Sequence, residues 1–225
     1  MNTTAIAPDE TLAELASRLP AAARVFHRQR LDYCCGGQRS LAEACAAKGL
    51  DPDELRAEIA AEQALCGGDQ RDWRGAPLPE LIDHILQRYH EPHRRELPRL
   101  RELAAKVEAV HADHPHCPHG LADHLADCIR AVEEHLQKEE EVLFPLIVDG
   151  RGHDCAMPVR CLIEEHDDNG ASLERTRQLA ADFVVPEGAC TSWRVLYQGL
   201  EGFERDLMAH VHLENHILFP RALAG

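Results

Sequence analysis

Apolar positions between Thr11 and Leu65 recur in short runs separated by polar breaks: TLAELASRL, AARVFHRQR, SLAEACAAKGL and DPDELRAEIAAEQAL. Each run has the three-to-four-residue spacing of a helix that buries one face, and none alternates as a strand would. Asp51 followed by Pro52 and further acids predicts a helix start, because the carboxylate accepts first-turn amides and Pro has no amide to satisfy. The pattern breaks over Cys66–Gly68 and the following DQRDWRGAPLP, which reads as a linker. Beyond it, four long segments, about 78–111, 120–148, 158–184 and 190–218, keep helical apolar spacing. Long helices joined by short connections predict an antiparallel four-helix bundle. The expected fold class is therefore all-α, with a small helical domain over residues 1–70 and the bundle over 71–225. Pro92 and Pro98 lie inside the first long segment. Each removes an amide donor and crowds the preceding turn, which predicts a kink without a break.

An internal repeat adds chemistry to this pattern. HLQKEEEVLFP, beginning at His135, recurs as HVHLENHILFP, beginning at His210, an offset of 210 − 135 = 75 residues. Self-similarity of this kind signals a duplicated structural unit, here a helical hairpin. The other helix of each hairpin should then carry a matching residue, and His90 and His166 precede the two copies by 45 and 44 residues (135 − 90 and 210 − 166). Each half supplies one lone His and one His-x-x-x-Glu pair: His90 with His135 and Glu139, and His166 with His210 and Glu214. Residues four apart on a helix lie about 40° apart around its axis, so each pair points from one face. His212 and His216 lie about 200° and 240° from His210 and face solvent or a different neighbour. His93, about 60° from His90, is the alternative on the first helix, although the repeat spacing favours His90.

A single His-x-x-x-Glu pair is commonly a solvated surface pair. Two in register, on faces directed at a core, are different, because a carboxylate placed there without a partner is costly. Metal ions supply that partner. The donor set of four imidazoles and two carboxylates, with no thiolate, suits paired iron or manganese better than a closed structural zinc site. Even with both Glu residues bridging, six side chains fill about eight of the twelve positions around two octahedral metals, which leaves room for an oxo or hydroxo bridge and a small ligand.

Composition narrows the field further. The net charge of −15 and pI near 5.4 argue against nucleic acid and anionic membranes as partners. The start carries no basic region leading into an apolar run, and no segment approaches the ~18 apolar residues of a membrane span, so a soluble cytoplasmic protein is expected. Fifteen histidines and nine cysteines are present, the cysteines scattered through helices and turns in a way unlike an extracellular disulfide framework.

With Asp-Tyr-Cys-Cys-Gly-Gly at 32–37 and the ending LENHILFPRALAG, the pattern closely resembles the haemerythrin-like di-iron proteins for repair of iron centres (RIC; YtfE/ScdA) over nearly the whole chain. The resemblance implies a haemerythrin-like bundle holding two non-haem irons, bound by His90, His135, Glu139, His166, His210 and Glu214, with Glu139 and Glu214 bridging. It implies a stress-response role in restoring iron-sulfur clusters damaged by nitric oxide or oxidants, with damaged or apo iron-sulfur proteins as partners. Supply of iron is the leading reading. Reduction of NO to N2O at the di-iron site, or sensing or carriage of O2 or NO, is the alternative, and a homodimer is a candidate assembly. Oxygen-carrying haemerythrins use a fifth His and an Asp, so this chain departs from their pattern.

Three further features carry candidate chemistry. Cys34 and Cys35 precede Gly36 and Gly37, which would let a turn expose both sulfurs, with Arg30 and Arg39 near enough in sequence to lower a thiol pKa. A redox, iron-relay or partner-docking role follows. The His111–His119 loop carries four His, an Asp and a Cys; it can bind an adventitious metal, but a polar connection between helices is the favoured reading. Glu165, beside His166, could serve as an outer or proton-relay carboxylate of the site, but a solvated helix residue is the default reading.

Overall fold

The computed structural model describes residues 6–65 and 71–224, so Cys66–Gly68, the start of the expected linker, lies outside the described residues. The chain divides into two compact units, residues 1–77 with 208–221, and residues 78–207 with 222–225. Among the described residues the architecture is all-α, apart from one isolated bridge between Thr11 and Ser40.

The first unit contains α1 (Leu12–Arg18), α2 (Pro20–Arg28), α3 (Leu41–Lys48) and α4 (Pro52–Leu65). Thr11 and Ser40 begin α1 and α3 with reciprocal caps: each hydroxyl accepts the amide three residues on, and Glu14 or Glu43 accepts the cap's own amide. At α4, the Asp51 carboxylate accepts the Asp53 amide at 2.7 Å, in keeping with the expected start. Leu15, Val25, Phe26 and Leu41 are fully buried in the core these helices share, with Met208 packed against it. Side chains of this type each contribute about 1.5–3 kcal/mol on burial.

The bundle is built from α5 (Leu78–Ile85) running into α6 (Glu91–Val110), α7 (Leu121–Lys138) running into α8 (Phe144–Val148), α9 (Ala156–Leu179), and α10 (Thr191–Leu213) running into α11 (Phe219–Ala224). Leu97, Leu100, Leu121, Leu125, Val132, Trp193, Leu196 and Leu200 belong to one core cluster. Gly199 permits the close approach of α10 to α6, since a Cβ there would stand 2.5 Å from Leu100 Cδ2. The third segment stops earlier than its apolar spacing suggested. Ala181, Asp182 and Phe183 take positive φ after Leu179, a backbone that no α-helix continues through. The last segment runs past 218, to Ala224.

The junctions inside three of these helices share one device. Leu86–His90, Glu139–Leu143 and Glu214–Leu218 are π turns. They are closed by amides reaching five residues back, Glu91 to Leu86, Phe144 to Glu139 and Phe219 to Glu214. Two residues beyond each turn stands a proline: Pro92, Pro145 and Pro220. A proline ring collides with the carbonyl four residues before it, and widening that turn by one residue relieves the collision. The helix persists through Pro92 by this means. Pro98 sits inside α6 with no such turn before it.

Candidate metal centre

His90, His135, Glu139, His166, His210 and Glu214 are each no more than 2% exposed. Their donor atoms form two groups, His90–Glu139–His210–Glu214 and His135–Glu139–His166–Glu214, with the atoms of each group within 4.8 Å of one another. Both groups contain Glu139 and Glu214. Nε2 of His90 and of His135 each stand 3.4 Å from opposite oxygens of Glu139. His166 Nε2 faces His135 Nε2 at 3.1 Å, and His210 Nε2 lies 3.0 Å from Glu214 Oε1.

The π turns bear directly on this arrangement. His90 ends the first, while Glu139 and Glu214 begin the second and third. A π turn rotates the residues around it relative to a regular helix, and such turns recur at functional sites. The prolines that impose the turns therefore also set the angles at which the donors project.

Outer carboxylates fix two of the imidazoles. His90 Nδ1 donates to Glu140 Oε1 at 2.7 Å, and Arg94 Nη1 donates to the same oxygen at 2.7 Å. His135 Nδ1 donates to Glu165 Oε2 at 2.9 Å, and Lys138 binds the other Glu165 oxygen. Burial pushes the Glu140 and Glu165 carboxyls up, but the hydrogen bonds from Arg94 and His90, and from Lys138 and His135, outweigh it and leave both below the usual value. With Nδ1 committed as donor, Nε2 of each ring presents its lone pair inward, the tautomer a metal requires. Glu165 is thus an outer carboxylate of the site. Glu140 and Arg94 escaped the sequence reading, because their partners lie on another helix about fifty residues away.

The remaining candidates fall elsewhere. His93 is buried but belongs to neither group, and packs edge-on against Phe203 with ring centroids 5.2 Å apart. His111 and His114 pack on Trp193, and the His111–His119 loop contributes to none of the converging groups found among the described residues. His212 lies within the first unit, where Nδ1 donates to the Tyr33 carbonyl at 3.3 Å and Nε2 accepts from Ser17 at 3.1 Å. Asn215 and His216 both donate to the Cys34 carbonyl, at 3.2 and 2.8 Å.

The Cys34–Cys35 turn corrects one expectation. Cys34 is buried and Cys35 half-buried, so the turn does not expose both sulfurs. The Cys34 thiol is raised well above its ordinary value by Cys35, by burial and by Asp32, and Arg30 and Arg39 do not lower it. Asp32, Cys34 and Cys35 nevertheless form a third group of converging donors.

The bundle donor set fits a pair of irons: four imidazoles, and two fully buried carboxylates that each belong to both groups, as bridging ligands must. Residues 81–222 match the family described as Hemerythrin HHE cation binding domain. The chain belongs to the haemerythrin HHE family. The haemerythrin HHE domain accounts for the bundle and its two non-haem irons, while residues 8–63 match a domain of unknown function, DUF542, also called ScdA_N. Among relatives of this haemerythrin HHE protein, the iron-sulfur cluster repair protein YtfE of Pectobacterium carotovorum is 46% identical over 217 residues, covering 96% of this chain and 98% of the relative. The proteins of the same name from Citrobacter koseri and Escherichia coli O81 are each 46% identical over 219 residues, with the same coverage. Among the described residues, no helix is long and apolar enough to cross a membrane.

Proposed function

We propose that this chain is a cytoplasmic iron-sulfur cluster repair protein that holds two irons through His90, His135, Glu139, His166, His210 and Glu214 and supplies iron to clusters damaged by nitric oxide or oxidants. In this reading residues 71–225 form the iron-bearing bundle, and residues 1–70 form a helical domain carrying Cys34 and Cys35. The observation that carries it is the sharing of Glu139 and Glu214 by both donor groups. The names of the relatives, matched over nearly their whole length, point to the same task.

Bound there, the two irons would supply Lewis acidity and one-electron chemistry toward a small ligand such as NO or O2. The protein residues do the rest. Glu139 and Glu214 balance the positive charge in a water-poor interior, and the imidazoles bind as neutral donors. Glu140 and Glu165 hold His90 and His135 in the binding tautomer.

The test is transfer from protein loaded with iron-57. Incubation with an apo iron-sulfur enzyme and sulfide should move label into a rebuilt cluster, with Mössbauer spectra recording loss of a coupled pair. Retention of both irons alongside catalytic conversion of NO to N2O would replace supply with NO reduction. A His135→Ala chain that keeps two irons would overturn the ligand set.

A further inference from the structure

We propose that Asp32, Cys34 and Cys35 form a separate site for one thiophilic divalent metal ion of the Fe(II) or Zn(II) class. The site uses none of the six bundle residues and goes beyond the reading given above.

The spacing of the sulfurs carries the proposal. Cys34 Sγ and Cys35 Sγ are 3.9 Å apart, and Cys34 Sγ is 3.3 Å from Asp32 Oδ1. Two thiolates bound at about 2.3 Å to a tetrahedral metal stand roughly 3.8 Å apart. The sulfurs therefore already hold the bite of a chelate. A redox couple is disfavoured by the backbone. The Cys34–Cys35 peptide is trans, which sets the two Cα atoms about 3.8 Å apart, short of the ~4.4–6.8 Å that disulfides usually span.

The loop is held in this form from both sides. The Asp32 carboxylate accepts three backbone amides, from Cys34 at 3.1 Å and Cys35 at 3.0 Å on Oδ1 and from Gly36 at 2.9 Å on Oδ2, so donor oxygen and sulfurs keep a fixed relation. On the opposite side the Tyr33 and Cys34 carbonyls accept from His212, Asn215 and His216. Gly37 is required by this packing, since a Cβ there would lie 2.4 Å from the Tyr33 carbonyl oxygen and 2.9 Å from His216 Nε2. Asp32 is exposed and Cys35 half-buried, which gives an ion a way in. Three protein donors leave a fourth position open, as in sites that exchange their ligands or cargo.

Cobalt(II) is the probe, added under anaerobic conditions to the full-length chain with its bundle already loaded with iron. The expected result is one additional cobalt per chain, with a thiolate-to-cobalt charge-transfer band in the near ultraviolet. Cys34→Ser and Cys35→Ser should each abolish the band, and Asp32→Asn should weaken binding about tenfold while keeping it, the order of effect seen when metal sites are perturbed. Cys34 is buried; if its variant loses helical circular dichroism, the half-buried Cys35 decides the matter. Cobalt uptake without a thiolate band, or a band that survives in folded Cys35→Ser, would overturn the proposal.

Discussion

Glu165 Oε2 holds Nδ1 of His135 at 2.9 Å across thirty residues of chain, while the same ring turns Nε2 to the shared centre. Outer carboxylates of this kind fix a ligand's tautomer and orientation. Glu165→Leu should therefore lower iron affinity by about 10–100-fold, with a smaller loss in Glu165→Gln, whose amide oxygen still accepts. Competition against a chromophoric chelator measures this. A folded Glu165→Leu protein with unaltered affinity would reduce the contact to packing.

Glu139 is fully buried and common to both donor groups, so its charge is costly without metal and essential with it. Glu139→Gln should raise the melting temperature of the metal-free protein and lower that of the iron-loaded one. Calorimetry of both forms gives the two signs. A variant destabilised equally in each would mean that Glu139 serves the fold alone.

Arg177 and Glu204 pair inside the bundle, Nε to Oε1 at 2.6 Å, with both side chains about one-tenth exposed or less. Arg177→Met leaves the carboxylate without its guanidinium and should cost about 3–5 kcal/mol in urea unfolding. Adding Glu204→Leu should recover most of that loss. Failure of the second substitution to recover stability would show that Arg177 acts mainly through its packing on Phe183.

Burial pushes the Cys128 thiol up to about 11, whereas an unfolded cysteine titrates near 8.5. Below about 8.5 both states hold the proton and the stability is fully present. As the pH rises further, the unfolded chain ionises first and stability is lost until the folded thiol also titrates. Urea midpoints across this range should fall less steeply in Cys128→Ala than in the parent chain. Equal slopes would assign the alkaline loss to the other cysteines.

Much of the metal centre was legible because duplication repeats its own evidence. His135–Glu139 and His210–Glu214 share a helical register with their neighbours, and the nearly equal spacing to His90 and His166 favours His90 over His93. The π turns were half visible. Pro92, Pro145 and Pro220 stand in the sequence, yet a proline states only that the preceding turn is crowded, and Pro98 shows that crowding need not produce a π turn. The Cys-Cys motif was visible as residues but misjudged as environment, since sequence proximity of Arg30 and Arg39 says nothing of where their charges point.

The sequence by itself determined where the helices run, the Asp51 start and which faces carry histidine and carboxylate, because periodicity and capping are set by residues within a turn or two of each other. Only the tertiary structure decided that Glu140 and Glu165 lock His90 and His135, and that Asn215 and His216 hold the Cys34 carbonyl. In the repeat Asn215 stands where the first copy has Glu140, so equivalent positions acquired different partners. Those partners come from segments distant in sequence, and the geometry of packed helices, which no local pattern encodes, selects them.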